Sequence, residues 1–149
     1  MVRRRCQANR SRVEGGVTRV LIVDDQPSFR RQLRALLDRA GLNVVGEAYD
    51  IPDAETKTRA TRPDLAIVDV MLPEINGVEG TARLKALAPD LRVILVSAYP
   101  DRINLLRQAA HDAGAEMFVA KDDLDLAMAR SWNNDDASSR RLNNKSPAG

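Results

Sequence analysis

Five short apolar runs, each followed by a polar segment with helical spacing, most narrow the folds open to this chain of 149 residues. The runs are residues 18–23, 43–48, 65–68, 91–96 and 116–120. Strands that alternate with helices call for a parallel sheet covered on both faces. Leu65-Ala66-Ile67-Val68 has no polar alternation, as expected of a strand buried on both sides. Asn43-Val44-Val45-Gly46-Glu47-Ala48 is weaker and suits a sheet edge. Crossovers between such strands are expected to be right-handed. The predicted fold is therefore α/β: a doubly wound five-stranded parallel sheet with helices on both faces.

The spacing between the runs predicts five helices. Pro27 and Ser28 open the first, which places Phe29, Leu33, Leu36, Leu37 and Ala40 on one face and stops at Gly41. The second begins at Pro52 and ends before Arg62-Pro63, because the residue ahead of a proline disfavours helix. The third covers residues 78–87, with Leu84 and Leu87 inward. The fourth follows Tyr99-Pro100-Asp101, turns Ile103, Leu106, Ala109 and Ala110 to the core, and stops at Gly114. For the last, Asp122-Asp123 supply negative charge at the N-terminus, and Leu124, Ala127, Met128 and Trp132 form the buried stripe.

Composition assigns the remainder. Residues 1–17 hold five Arg and one Glu, with no apolar period, and read as a disordered basic leader. Residues 132–149 are too polar to bury a core and read as a disordered tail. One domain, residues 18–131, is left between them. Residues 18–130 carry 15 basic and 18 acidic side chains, so the folded part offers no positive field for nucleic acid. No apolar run is long enough to span a bilayer, and the start has no apolar signal region. The single Cys6 gives neither a disulfide framework nor a cysteine-rich metal site. A soluble cytoplasmic protein is expected.

The endings of the strands carry the chemistry. The first run delivers Asp24 and Asp25, the third Asp69, the fourth Ser97 and the fifth Lys121. Open α/β sheets bind their ligands at the carboxyl ends of the strands. Three carboxylates in one small pocket repel, and a divalent cation plus the Lys121 ammonium would offset them. Carboxylate oxygens with room for water suit Mg²⁺. Asp69 is then placed as a nucleophile toward a phosphoryl group, with Lys121 and the Ser97 hydroxyl as groups that bind phosphoryl oxygens.

In this order and spacing, Val23-Asp24-Asp25, Asp69-Val70-Met71-Leu72-Pro73 with Gly77, Val96-Ser97-Ala98 and Val119-Ala120-Lys121 resemble the receiver domain of two-component response regulators. The resemblance covers residues 18–130. It implies a flavodoxin-like, CheY-like strand order of 2-1-3-4-5. It implies that Asp69 accepts a phosphoryl group from a phosphohistidine on a sensor histidine kinase or phosphotransfer protein. Metal ligands would be Asp24, Asp25, Asp69 and the backbone carbonyl of Met71. Ser97 would be the switch hydroxyl and Phe118 the switch aromatic. Signalling, including homodimer formation, would use the face built by the fourth helix, fifth strand and fifth helix.

Two features depart from the family. Asp122 stands where a Pro often follows the Lys, so a cis bond there would lack proline's reduced penalty. Ser97 replaces the frequent Thr with loss of a methyl. No helix-turn-helix segment follows, so the chain reads as a receiver standing alone or a shortened form of a longer protein. Such a domain modifies itself and turns over no external metabolite. The alternative is a receiver-like module that binds a partner without phosphorylation, and intact Asp25, Asp69 and Lys121 argue against it. A haloacid-dehalogenase-type phosphatase would need a carboxylate two positions after its nucleophile, where Gln26 and Pro27 stand instead. His111 has polar neighbours and is assigned no chemistry.

Overall fold

A computed structural model of the chain describes residues 16–133. Expectations for residues 1–15 of the basic leader, and for the polar tail from residue 134 on, fall outside the described residues. The elements are β1 (Arg19–Val23), α1 (Pro27–Arg39), β2 (Asn43–Ala48), α2 (Ile51–Thr61), β3 (Leu65–Asp69), α3 (Gly77–Leu87), β4 (Arg92–Ser97), α4 (Pro100–Ala113), β5 (Met117–Ala120) and α5 (Leu126–Ser131). All strand pairs are parallel, in the order β2-β1-β3-β4-β5. The weak second strand occupies the edge, as its Asn and Gly suggest.

The sheet separates two apolar layers, and strand periodicity sorts the side chains between them. Leu21, Val23, Ala66, Val68, Val93, Leu95 and Phe118 pack with Ile51, Ala54, Leu84 and Ala110, from α2, α3 and α4. Val20, Ile22, Leu65, Ile67, Ile94, Val96 and Val119 pack with Leu33, Leu37, Ala129 and Trp132, from α1 and α5. All five residues of β3 are buried, in keeping with its unbroken apolar run. Among the described residues no helix is long and apolar enough to cross a membrane.

Local signals set most boundaries. Pro27 starts α1, and Gly41 leaves it at φ 87°, a left-handed position that glycine adopts without a steric cost. Asp50 caps α2 by accepting from the Asp53 amide at 2.8 Å, and Asn76 caps α3 by accepting from the Glu79 amide at 2.9 Å. Arg62, held ahead of Pro63, ends α2 in the left-handed region at φ 49°.

The last two helices correct the sequence reading. Asp122 and Asp123 belong to a 3₁₀ turn, Lys121–Asp123, and α5 is capped by Asp125, which accepts from the Met128 amide at 2.8 Å. This shifts the phase of the helix, so Ala129 is buried and Ala127 exposed. Trp132, at the boundary drawn for the polar tail, is fully buried against α1 and the sheet. On α4, Ala110 is buried and Leu106 packs on the core, but Ala109 faces solvent. The side chain of Ile103 lies outside the described residues.

Candidate functional site

Parallel pairing brings the polar endings of β1, β3 and β5 to one edge of the sheet. Asp24 follows β1, and its amide donates to the Ala48 carbonyl at 2.9 Å, extending the β1–β2 ladder by one step. Asp69 is the last residue of β3, which lies beside β1. The carboxylates of Asp24, Asp25 and Asp69 each offer an oxygen within 4.8 Å of the others. Asp24 and Asp69 are buried, whereas Asp25 is exposed and keeps the cluster open to water.

Neither acid is the N-cap of α1, a position held by Gln26, whose own side chain makes no capping bond. Instead Asp24 Oδ1 accepts from the Gln26 amide at 2.8 Å, and Asp24 Oδ2 accepts from Lys121 Nζ at 2.8 Å. Lys121 extends from the end of β5 past β4 to reach these acids, and its Nζ also lies 3.5 Å from Asp69 Oδ2. The ammonium stands 4.0 Å from the centre of the Phe29 ring. Its side chain is only 11% exposed, so Lys121 is a member of the cleft and not a surface lysine.

The loop after β3 is built tightly around Asp69. Asp69 Oδ1 accepts from the Met71 amide at 3.1 Å, and the Gly77 amide donates to the Val70 carbonyl at 2.9 Å. A β-carbon at Gly77 would collide with the Asp69 carbonyl, so only glycine fits. Glu74 turns the loop at φ 67°. The Met71 side chain is exposed.

Burial of Asp69, reinforced by the charge of Asp24, raises its carboxyl from the ordinary 3.8 to about 6, against the opposing pull of Lys121. The cleft is therefore short of positive charge. Hard oxygen donors, one of them exposed, together with an excess of negative charge fit a divalent cation that keeps part of its water shell.

Ser97 ends β4, one residue beyond Val96, the partner of Asp69. It is fully buried, and its hydroxyl accepts from the Tyr99 amide at 3.1 Å and donates to the Tyr99 carbonyl at 3.3 Å. Through these bonds it holds the start of the loop into α4. Phe118 is 9% exposed and already packed inward with Leu95 and Ala110. The Lys121–Asp122 bond is trans. His111 is on the surface, as expected.

A family model described as the response regulator receiver domain matches residues 20–129. The chain belongs to this family. Within it, the receiver is 35% identical over 133 residues to the DNA-binding transcriptional activator DevR/DosR of Mycobacterium tuberculosis, covering 89% of this chain and 60% of that protein. It is 33% identical over 103 residues to the chemotaxis protein CheY of Thermotoga maritima, covering 69% of this chain and 84% of that one. A CheY in a CheX-CheY-BeF3-Mg complex from Borrelia burgdorferi aligns with a TM-score of 0.69 and 27% identity, over 78% of this chain and 87% of that one. The receiver spans half the length of a Pseudomonas aeruginosa relative, 50%, at 41% identity. Receiver domains of two-component systems are signalling domains, and this one has the flavodoxin-like α/β architecture expected of them.

Sequence reasoning missed Phe29 as a member of the site. It assigned the ring to the apolar stripe of α1, and the signal was available: Phe29 is the stripe's first residue, nearest the strand ends. Arg30, one residue further along α1, also reaches the site. Its Nη1 donates to the Asp24 carbonyl at 2.6 Å while its Nε donates to Glu47 at 2.9 Å, so it braces the β1–α1 loop against β2.

Proposed function

We propose that Asp69 is the phosphoacceptor of a two-component pathway and takes its phosphoryl group from a phosphohistidine on a sensor histidine kinase or phosphotransfer protein. The reading rests on one observation: a buried aspartate at the end of the central strand shares a cleft with two further acids and a largely enclosed lysine. An Asp69 carboxylate oxygen attacks phosphorus in line. The P–N bond to imidazole breaks, its electron pair leaves with the imidazole, which takes up a proton, and a P–O bond to Asp69 forms.

Asp24, Asp25, Asp69 and the Met71 carbonyl would hold Mg²⁺, which when bound supplies charge that draws in and neutralises phosphoryl oxygens. The Asp24 carboxylate is kept in place by the Gln26 amide. The Met71 amide holds one Asp69 oxygen and leaves the other toward Lys121. Lys121 balances the charge that develops on the phosphoryl group. The tight loop at Gly77 packs against the backbone of the nucleophile.

The new dianion on Asp69 would compete with the Tyr99 backbone for the Ser97 hydroxyl. If the hydroxyl moves, it draws the start of α4 with it, and the packing of Phe118 beside Ala110 responds. The face of α4, β5 and α5 would carry that change to an output partner or a second receiver. Phosphate acts here as a ligand with unequal affinity for two packings. Residues 18–131 would be the unit that switches, acting in the cytoplasm.

The test is incubation of the protein with acetyl phosphate and Mg²⁺ followed by intact mass. A phosphate-sized gain is expected in the native protein, absent from Asp69→Ala and absent with EDTA. Native protein that stays unmodified would move the assignment to a partner-binding module that works without phosphorylation.

A further inference from the structure

In the cleft Lys121 meets an aromatic ring as well as two acids. Its Nζ is 2.8 Å from Asp24 and 3.5 Å from Asp69, with the Phe29 ring centre at 4.0 Å. Phe29 belongs to the first turn of α1, whose start is set by Pro27, so the ring is carried on a rigid element. It is half-buried and packs on the α1–α5 layer through its other atoms. An aromatic face carries partial negative charge and attracts an ammonium, more strongly where water is excluded.

The two carboxylates are also the groups whose partners change as the site is used. Asp24 would share its oxygens with a cation, and Asp69 would become a mixed anhydride whose charge lies on the phosphoryl oxygens. Both events change the carboxylate partners of Lys121. The ring is altered by neither. A lysine has a long stem with many rotamers, so something constant must keep its head in the cleft if it is to meet the phosphoryl group.

We propose that Phe29 is a positioning residue for Lys121, its ring face keeping the ammonium in the cleft while Asp24 and Asp69 exchange partners. The inference rests on the phosphoacceptor reading given above. Phe29→Leu preserves an apolar side chain on the α1 layer and removes the π face, whereas Phe29→Tyr retains the face. A role limited to packing would leave these two variants alike in chemistry.

The experiment uses the full chain, with acetyl phosphate and Mg²⁺ as probes. The native Lys121 ε-methylene signals are expected upfield of those of the other lysines through the ring current. That displacement is lost in Phe29→Leu and kept in Phe29→Tyr. The initial rate of phosphorylation drops roughly three- to ten-fold in the Leu variant. It stays within about two-fold in the Tyr variant, and the Mg²⁺ affinity measured by calorimetry stays within about two-fold in both. A native Lys121 signal with no upfield displacement overturns the proposal, and this measurement decides it even if the Leu variant does not fold. Native-like phosphorylation in a folded Leu variant also overturns it while leaving Asp69 as the acceptor. Native protein that takes up no phosphate overturns the phosphoacceptor reading and this proposal with it.

Discussion

Replacing Asp69 with Asn is expected to stabilise the metal-free protein at neutral pH. In the fold, burial and the neighbouring Asp24 raise the Asp69 carboxyl from 3.8 to about 6. Each pH unit of such a difference corresponds to about 1.4 kcal/mol, so the full charge at pH 7.5 would cost about 3 kcal/mol. A second route gives a similar scale. Two unit charges at the 4.8 Å upper limit repel by about 3.5 kcal/mol at an effective dielectric constant of about 20. Lys121 and solvent at the mouth offset part of it, so about 1–3 kcal/mol is the expected gain for Asp69→Asn. The pH dependence has a definite sign. Below 3.8 the carboxyl is neutral whether the chain is folded or unfolded, and Asp69 costs nothing. As pH rises through 3.8 toward 6 the unfolded chain releases the proton first, so the native protein loses stability relative to Asp69→Asn. The assay is urea unfolding in EDTA at several pH values. The gap should be widest near pH 7.5 and close toward pH 4. Mg²⁺, which binds the folded native site, should narrow the gap at neutral pH. An Asn variant no more stable than the native protein at pH 7.5 in EDTA, or a gap that ignores pH, would refute the electrostatic account of the cleft.

Two further substitutions probe the frame around the site. Gly77→Ala places a methyl against the Asp69 carbonyl, a backbone atom with no room to retreat, and is expected to cost about 1–3 kcal/mol and to slow phosphorylation; urea unfolding and the mass assay check both parts, and a variant indistinguishable from native contradicts the loop geometry. Trp132→Ala empties a fully buried position at the end of a six-residue helix and should cost about 3–5 kcal/mol, measured by far-ultraviolet dichroism because the chain's only tryptophan is lost. A loss under about 1 kcal/mol would mean that α5 docks without it.

Much of this architecture is legible locally. A strand buried on both faces must be apolar throughout, and Leu65 to Val68 is. A helix stop that needs a left-handed residue selects glycine, and Gly41 and Gly114 stand where α1 and α4 end. The candidate site was legible for a similar reason. Parallel strands all present their carboxyl ends at one edge, so Asp24, Asp69 and Lys121 converge once each is seen to end a strand. The six-residue α5 begins a turn later than its sequence suggests because Asp122, Asp123 and Asp125 are all suitable caps. Too few residues follow them for apolar spacing to choose the phase. The switch of the buried position from Ala127 to Ala129 follows from that.

Sequence alone determined the class of fold, the order of its parts and the residues available for chemistry, because periodicity and chain breaks act over a few neighbouring residues. Tertiary structure alone decided that Asp24 is buried while the adjacent Asp25 meets water. It also decided that Lys121 lies between Asp24 and the ring of Phe29, 97 and 92 positions away along the chain. Those relations depend on sheet register and on how α1 seats against it, and no local pattern encodes the distance between two elements that meet only after the chain has folded.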